Sequence, residues 1–196
     1  MLRLTIARYY TPSGRCIQKP YTSGDTNDYQ MDIIRRYESG EYFSEDSIKH
    51  KGPAFKTRLG RKVYGGGGIT PDIFVAEDTL NQTSYYKQAA MTGLIVQYAY
   101  AYTDANRPVL KEYTELEELT RYLQKQNIVD KFATWADGRG LKRRNLMIQR
   151  SHKLLENYLV SRIVYSILDE NAWSKYLSQD DPVIKRALKE FDNAKK

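Results

Sequence analysis

The residues of this chain best suited by type and spacing to do chemistry are Ser84 and Lys87, in the run Ser84-Tyr85-Tyr86-Lys87. The pattern S-x-x-K sets a hydroxyl and an amine on one side of a helix, where a lysine held neutral by burial or positive neighbours can take the serine proton. Enzymes that use this pattern also need S-D-N and K-T-G motifs. Both are missing, and Lys56-Thr57-Arg58 stops short of the second. The expected role of Ser84 and Lys87 is therefore structural. Ser151-His152-Lys153 is a poorer arrangement, because residues one and two apart point to different helix faces.

His50 and His152 stand alone in the sequence, without a flanking ligand pattern, and read as surface or hydrogen-bonded residues rather than metal ligands. Ser13 lies in a turn and is not read as a nucleophile. Gly65-Gly66-Gly67-Gly68 lacks the G-x-x-x-x-G-K-[ST] pattern, with Ile69-Thr70-Pro71 where lysine and hydroxyl belong, so backbone freedom is expected there and no phosphate cradle. Cys16 is the only cysteine, which excludes an intrachain disulfide. The acidic residues form no diagnosable pair. No catalytic, cofactor-binding or metal-binding residue is assigned, and no cofactor is expected.

The elements that would position such groups fall into two regions of different character, 1–82 and 83–196. In the first, Leu2, Leu4 and Ile6 alternate with Arg3 and Thr5, as in a strand with one face on a core. Thr11-Pro12-Ser13-Gly14 should end it in a type I turn. A short helix is expected from Asp28, with Tyr29, Ile33, Ile34 and Tyr37 on one side and Ser39-Gly40 at its end. Another turn of helix is expected within 44–49. Phe55-Lys56-Thr57-Arg58-Leu59 and Arg61-Lys62-Val63-Tyr64 read as a hairpin or bent strand around Gly60. A further strand is expected from Ile69 or Asp72 to Val75.

In the second region Thr83 or Ser84 should cap a helix over 83–102, broken by Thr103-Asp104-Ala105-Asn106-Arg107-Pro108. Thr114-Glu115-Leu116-Glu117 reads as a capping box opening a helix through Gln126, with Leu116, Leu119 and Leu123 inward. Ile128, Val129, Phe132 and Trp135 mark the next helix, stopped by Gly138 and Gly140. A long helix over 145–168 carries Leu155, Leu159 and Ile163. Asp181 and Pro182 should open a last helix carrying Val183, Ile184, Leu188 and Phe191. The expected class is α+β: a small β-rich segment followed by a mainly helical bundle or extension.

Composition sets wider limits. The chain has 196 residues, 41% of them hydrophobic, with 17 tyrosines and a net charge of +7. Such a chain is long enough to build a core without staples, and its tyrosines can bury a ring while the hydroxyl reaches water. Arg139, Lys142, Arg143, Arg144 and Arg150 form a local basic group, read as a solvated face rather than a nucleic-acid surface. No apolar run is long enough to span a bilayer.

The strings L-T-I-A-R-Y-Y-T-P-S-G-R and, further on, G-G-I-T-P-D-I resemble the carboxy-terminal processing, or tail-specific, serine peptidases. Ile17-Gln18-Lys19-Pro20-Tyr21 and Gly60-Arg61-Lys62-Val63-Tyr64-Gly65 look like the Bacteroidetes-type branch, and Asp181-Pro182-Val183-Ile184 like the last helix of that family. The resemblance implies an endopeptidase that recognises a substrate tail with a PDZ domain and cuts with a Ser–Lys dyad. The S-A-S-x-E-like and G-K-G-x-x-Q-like motifs that carry the serine and lysine are absent from this sequence. The expectation is thus a carboxy-terminal piece, inactive alone, that completes the β core of the peptidase. Its expected partners are the upstream peptidase and PDZ regions, protein or peptide substrates, and an oligomer or adaptor bound through the helices. The family works in the periplasm or cell envelope. The competing expectation is a non-catalytic helical interaction module.

Overall fold

The computed structural model describes residues 6–20, 27, 31–48, 52–77 and 79–194. The chain divides into two compact units, Met1–Asp78 and Thr79–Lys196.

The amino-terminal unit is built on backbone pairing. Thr11 N–H donates to Arg15 O at 2.9 Å, Gly14 N–H donates to Thr11 O at 2.8 Å, and Gly14 has φ 78°. This is a type I turn closed by a bulge glycine in the left-handed region, which a Cβ would strain. The same chemistry recurs at Thr57-Arg58-Leu59-Gly60-Arg61, where Thr57 N–H donates to Arg61 O at 2.8 Å and Gly60 N–H to Thr57 O at 2.9 Å. That second turn joins β1 (Ala54–Lys56) to β2 (Lys62–Tyr64), antiparallel with Phe55 opposite Val63. The expected hairpin about Gly60 is therefore present. So is the turn of helix within 44–49, as the 3-10 turn Glu45–Ser47.

Other expectations for this unit need correction. Residues 2–5 of the opening strand lie outside the described residues, and Ile6 is exposed. Residues 69–75 form no strand. Pro71 supplies no N–H to a ladder, and Ile69 and Ile73 are exposed while only Phe74 and Val75 are half-buried, so the stretch lacks the pairing and the alternating burial of a strand. Helix α1 (Asp32–Glu38) ends at Ser39-Gly40 as its sequence predicts, but Ile33, Ile34 and Tyr37 face solvent. Tyr29 lies outside the described residues.

The second unit is helical: α2 (Ser84–Met91), α3 (Leu94–Leu110), α4 (Leu116–Gln124), α5 (Ile128–Asp137), α6 (Asn145–Arg150), α7 (His152–Ile167), α8 (Glu170–Asp180) and α9 (Pro182–Ala194). The central pair is α3 against α7, and α4, α5, α6 and α8 also pack on α7. Leu155, Leu159, Val160, Ile163 and Val164 are all buried, on more than one side of α7, as in a helix packed by several neighbours, while His152, Lys153 and Tyr165 stay exposed. Ala99, Ala133 and Ala136 are completely buried. Their small side chains allow close helix approach. Around them Tyr98 meets Phe132 and Trp135 edge-on, with ring centroids 5.6 and 5.4 Å away.

Packing also explains where local signals are overridden. The helix expected over 83–102 is interrupted by Gly93, at φ 72°, and then continues as α3 through Pro108. Proline costs a helix one N–H bond. Here Leu110 is fully buried, and Thr103 Oγ1 and Asn106 Nδ2 donate to the carbonyls of Ala99 and Tyr102, each at 2.8 Å. The capping box is not formed: the residue at the N-cap is Glu115 rather than Thr114, with no side-chain cap bond. Residues 145–168 form α6 and α7, separated at Ser151. Asp181 caps α9 as predicted, accepting from Val183 N–H at 2.7 Å and Ile184 N–H at 3.0 Å. Asp169 caps α8, which sequence periodicity does not mark, by accepting from Ala172 N–H at 2.8 Å.

Replacing the enclosed Leu159 with alanine should lower stability by about 2–5 kcal/mol through lost transfer energy and a residual cavity, measured by denaturant unfolding. Burial, with a smaller effect of the Tyr102 phenol, pushes the Tyr98 hydroxyl from 10.0 up to about 12. The unfolded phenol therefore loses its proton first as pH rises. The stability due to neutral Tyr98 is complete below pH 10 and is lost between pH 10 and 12, so thermal midpoints should fall over that interval, and less steeply in Tyr98→Phe.

Candidate functional site

The hydroxyls of Thr83, Ser84 and Ser151 come together where α2 begins beside the α6–α7 junction. Thr83 is the N-cap of α2 and accepts a bond from Tyr86 N–H at 3.3 Å. Its Oγ1 lies 3.1 Å from Ser151 Oγ, and Ser151 Oγ in turn donates to Met147 O at 2.7 Å. Ser151 is fully buried, so this polar contact inside the packed junction is satisfied by neighbours. Ser84 Oγ donates to Met147 Sδ at 3.3 Å. Beside these groups lies an open depression of about 520 Å³, lined by Leu80, Thr83, Ser84, Leu146, Met147 and Arg150.

Ser84 and Lys87 are both exposed. The serine hydroxyl is turned to a thioether, and the lysine lacks the enclosure that a neutral amine base requires. Ser151, His152 and Lys153 are likewise dispersed: Ser151 is buried, His152 is exposed, and Lys153 reaches Asp180 at 3.0 Å. Asp180 accepts from Lys185 at 2.7 Å as well, and these hydrogen bonds, Lys185 first, hold its carboxyl down at about 2. It ties α7, α8 and α9 together. His50 lies outside the described residues. Among the described residues, no group of three or more His, Cys, Asp or Glu could hold a metal ion, and no helix is long and apolar enough to cross a membrane.

The glycine run occupies the wall of a separate cleft of about 370 Å³ in the amino-terminal unit, with Lys19, Asp32, Arg36 and Glu41 around it. Its amides serve the fold. Gly66 N–H donates to Cys16 O at 2.9 Å, Gly68 N–H to Ile17 O at 2.8 Å and Gly65 N–H to Pro53 O at 3.1 Å. A Cβ on Gly52 would stand 1.6 Å from Gly65 O, so the two backbones meet at a distance that excludes any side chain. The cations at the cleft are matched by acids: Lys19 pairs with Asp32 at 3.1 Å and Arg36 with Glu41 at 2.7 Å. Ser13 shares a hydrogen bond with Thr11 Oγ1 at 2.9 Å, within the turn.

The basic group near residue 143 is similarly engaged. Arg143 binds Asp130, Thr134 and Asn145 with its guanidinium, Lys142 lies 3.8 Å from Asp137, and Arg139 rests on the Trp135 ring at 3.8 Å. A cluster that sequence reasoning misses surrounds Arg162, whose guanidinium lies 5.4 Å from the Tyr158 ring and 5.9 Å from the Trp173 ring. Arg162 Nε and Trp173 Nε1 are both buried and find no acceptor among the described residues. The relevant signal is the meeting of α7 with α8, and periodicity does not reveal it.

The helical unit thus has the character of a packed bundle whose polar clusters brace helix junctions. A family of unknown function, DUF8443, matches residues 85–169, from the first turn of α2 through α7. No curated protein and no solved structure matches the chain.

If the hydroxyl cluster is a brace, Thr83→Ala should cost about 1 kcal/mol or more, because it removes a cap and a partner of buried Ser151. Ser84→Ala should change the denaturation midpoint little. Equal effects of the two substitutions would contradict the assignment.

Proposed function

We propose that this chain is a carboxy-terminal, non-catalytic region of a tail-specific serine endopeptidase, with the serine and lysine of the dyad outside this sequence. The observation that carries the reading is the adjacency of the two stretches that resemble the family. Tyr10 and Cys16 bridge across the Thr-Pro-Ser-Gly turn, and the carbonyls of Cys16 and Ile17 accept from Gly66 and Gly68, which lead directly into Ile69-Thr70-Pro71-Asp72. Distant sequence motifs that meet through backbone hydrogen bonds are what a shared β core requires.

The amino-terminal unit also leaves Ile6, Tyr9, Tyr10 and Ile69 exposed. An opening hairpin with apolar residues in solvent gains most from pairing with a larger sheet. In this reading the unit completes the peptidase core and shapes its cleft, while the proton transfer and acyl chemistry belong to upstream residues. The site of action is the periplasm or cell envelope. The second reading, a helical interaction module, is favoured by the bundle being compact in itself with an uncovered apolar face on α9.

The deciding experiment compares hydrolysis of an unfolded, apolar-tailed protein by this chain and by a version extended upstream through the expected serine and lysine. The expected result is cleavage by the extended protein only, abolished when that serine is replaced. Cleavage by this chain alone, or an inactive extended protein that folds, would overturn the reading.

A further inference from the structure

Helix α9 is a formed element with an unoccupied side. Asp181 caps it, and it meets the bundle chiefly through α8. Val183, Ile184, Leu188 and Phe191 are 58%, 38%, 59% and 68% exposed. Together with Ala187 they fall on one side of the helix at 3.6 residues per turn. Four large apolar side chains in solvent on one face call for a partner.

The charges bordering that face specify which partner. One border carries Lys185 toward the amino end and Asp192 toward the carboxyl end; the other carries Arg186 and then Glu190. Both borders therefore run from basic to acidic. In two parallel copies, like charges would meet on each border. In two antiparallel copies each border faces its own equivalent, so Lys185 meets Asp192 and Arg186 meets Glu190. Leu188 lies midway between positions 186 and 190 and within one residue of midway between 185 and 192. Both pairings therefore share one centre, on the apolar face itself.

We propose that α9 is a homodimerisation element, through which two copies of this chain pair antiparallel about a two-fold axis near Leu188. Val183, Ile184, Ala187, Leu188 and Phe191 form the seam. Within one chain Arg186 pairs with Glu190 and Lys185 with Asp180, each at 2.7 Å, and in the dimer these exposed pairs are shared with the acids of the second copy. A seam of one helix per copy buries less than the roughly 1,200 Å² at the low end of stable interfaces, so the dimer is concentration-dependent. The proposal stands independently of the peptidase reading.

Sedimentation velocity on the full chain over a wide concentration series tests it. The wild type should shift from monomer to dimer, whereas Leu188→Glu and Phe191→Glu should stay monomeric at concentrations where the wild type is dimeric. Both variants should keep the wild-type thermal midpoint at concentrations where the wild type is monomeric, since neither side chain is buried within one chain. Lys185→Glu with Arg186→Glu makes both borders wholly acidic, and Glu190→Lys with Asp192→Lys makes both wholly basic. Each double variant should lose self-association, and an equal mixture of the two should regain it. A wild type that is monomeric throughout, a dimer insensitive to Leu188 and Phe191, or a mixture that fails to associate would each overturn the proposal.

Discussion

The helical unit depends on the enclosure of α7. A helix with Leu155, Leu159, Val160, Ile163 and Val164 all buried turns most of its circumference inward, with His152, Lys153 and Tyr165 left to water, so its stability rests on the neighbours packed around it. α3 supplies the most extensive contact, and α4, α5, α6 and α8 cover further parts of its surface. The alanines at 99, 133 and 136 follow from this requirement, because bulk at those positions would hold the helices apart. The buried hydroxyls of Thr103, Ser151 and Ser161 obey the same constraint by donating to carbonyls of their own helical stretch.

The amino-terminal unit rests on different physics. Among its described residues only Gly65 is buried, and order comes from hairpin turns and backbone bonds rather than from an apolar core. The two T-x-x-G-R turns, the contact of Gly52 with Gly65 and the amides of the glycine run weave the chain without side-chain burial. A short hairpin is marginal alone. That property supports our reading of the unit as a contribution to a larger sheet, whereas the core found among the described residues lies in the helical unit.

Sequence patterns were most readable where one residue type has one physical use. Asp181-Pro182 marked a helix start because a carboxylate caps amides and proline at the first position loses no bond. The turn glycines were equally plain. Leu116, Leu119 and Leu123 read inward because a single face of α4 is buried. Signals failed where several outcomes share one pattern. Thr114 had the letters of a capping box, but the helix starts one residue later, at a register set by the burial of Leu116. Pro108 looked like a terminator until the burial of Leu110 carried α3 past it.

The chemistry-bearing residues divide in the same way. The missing companion motifs are all that the sequence says against Ser84 and Lys87 as a pair. That Ser84 turns to Met147 and that Thr83 reaches Ser151, 68 residues away, was not legible there, because such partners are chosen by how α2 lies against α6. By itself the sequence determined turns, caps, helix faces and the charge order along α9, all of which depend on neighbours within a few residues. Tertiary structure alone decided where helices break, which tyrosines lose water, and that the Arg162 guanidinium lies beside the Tyr158 and Trp173 rings, because burial and desolvation depend on surfaces brought together from distant parts of the chain.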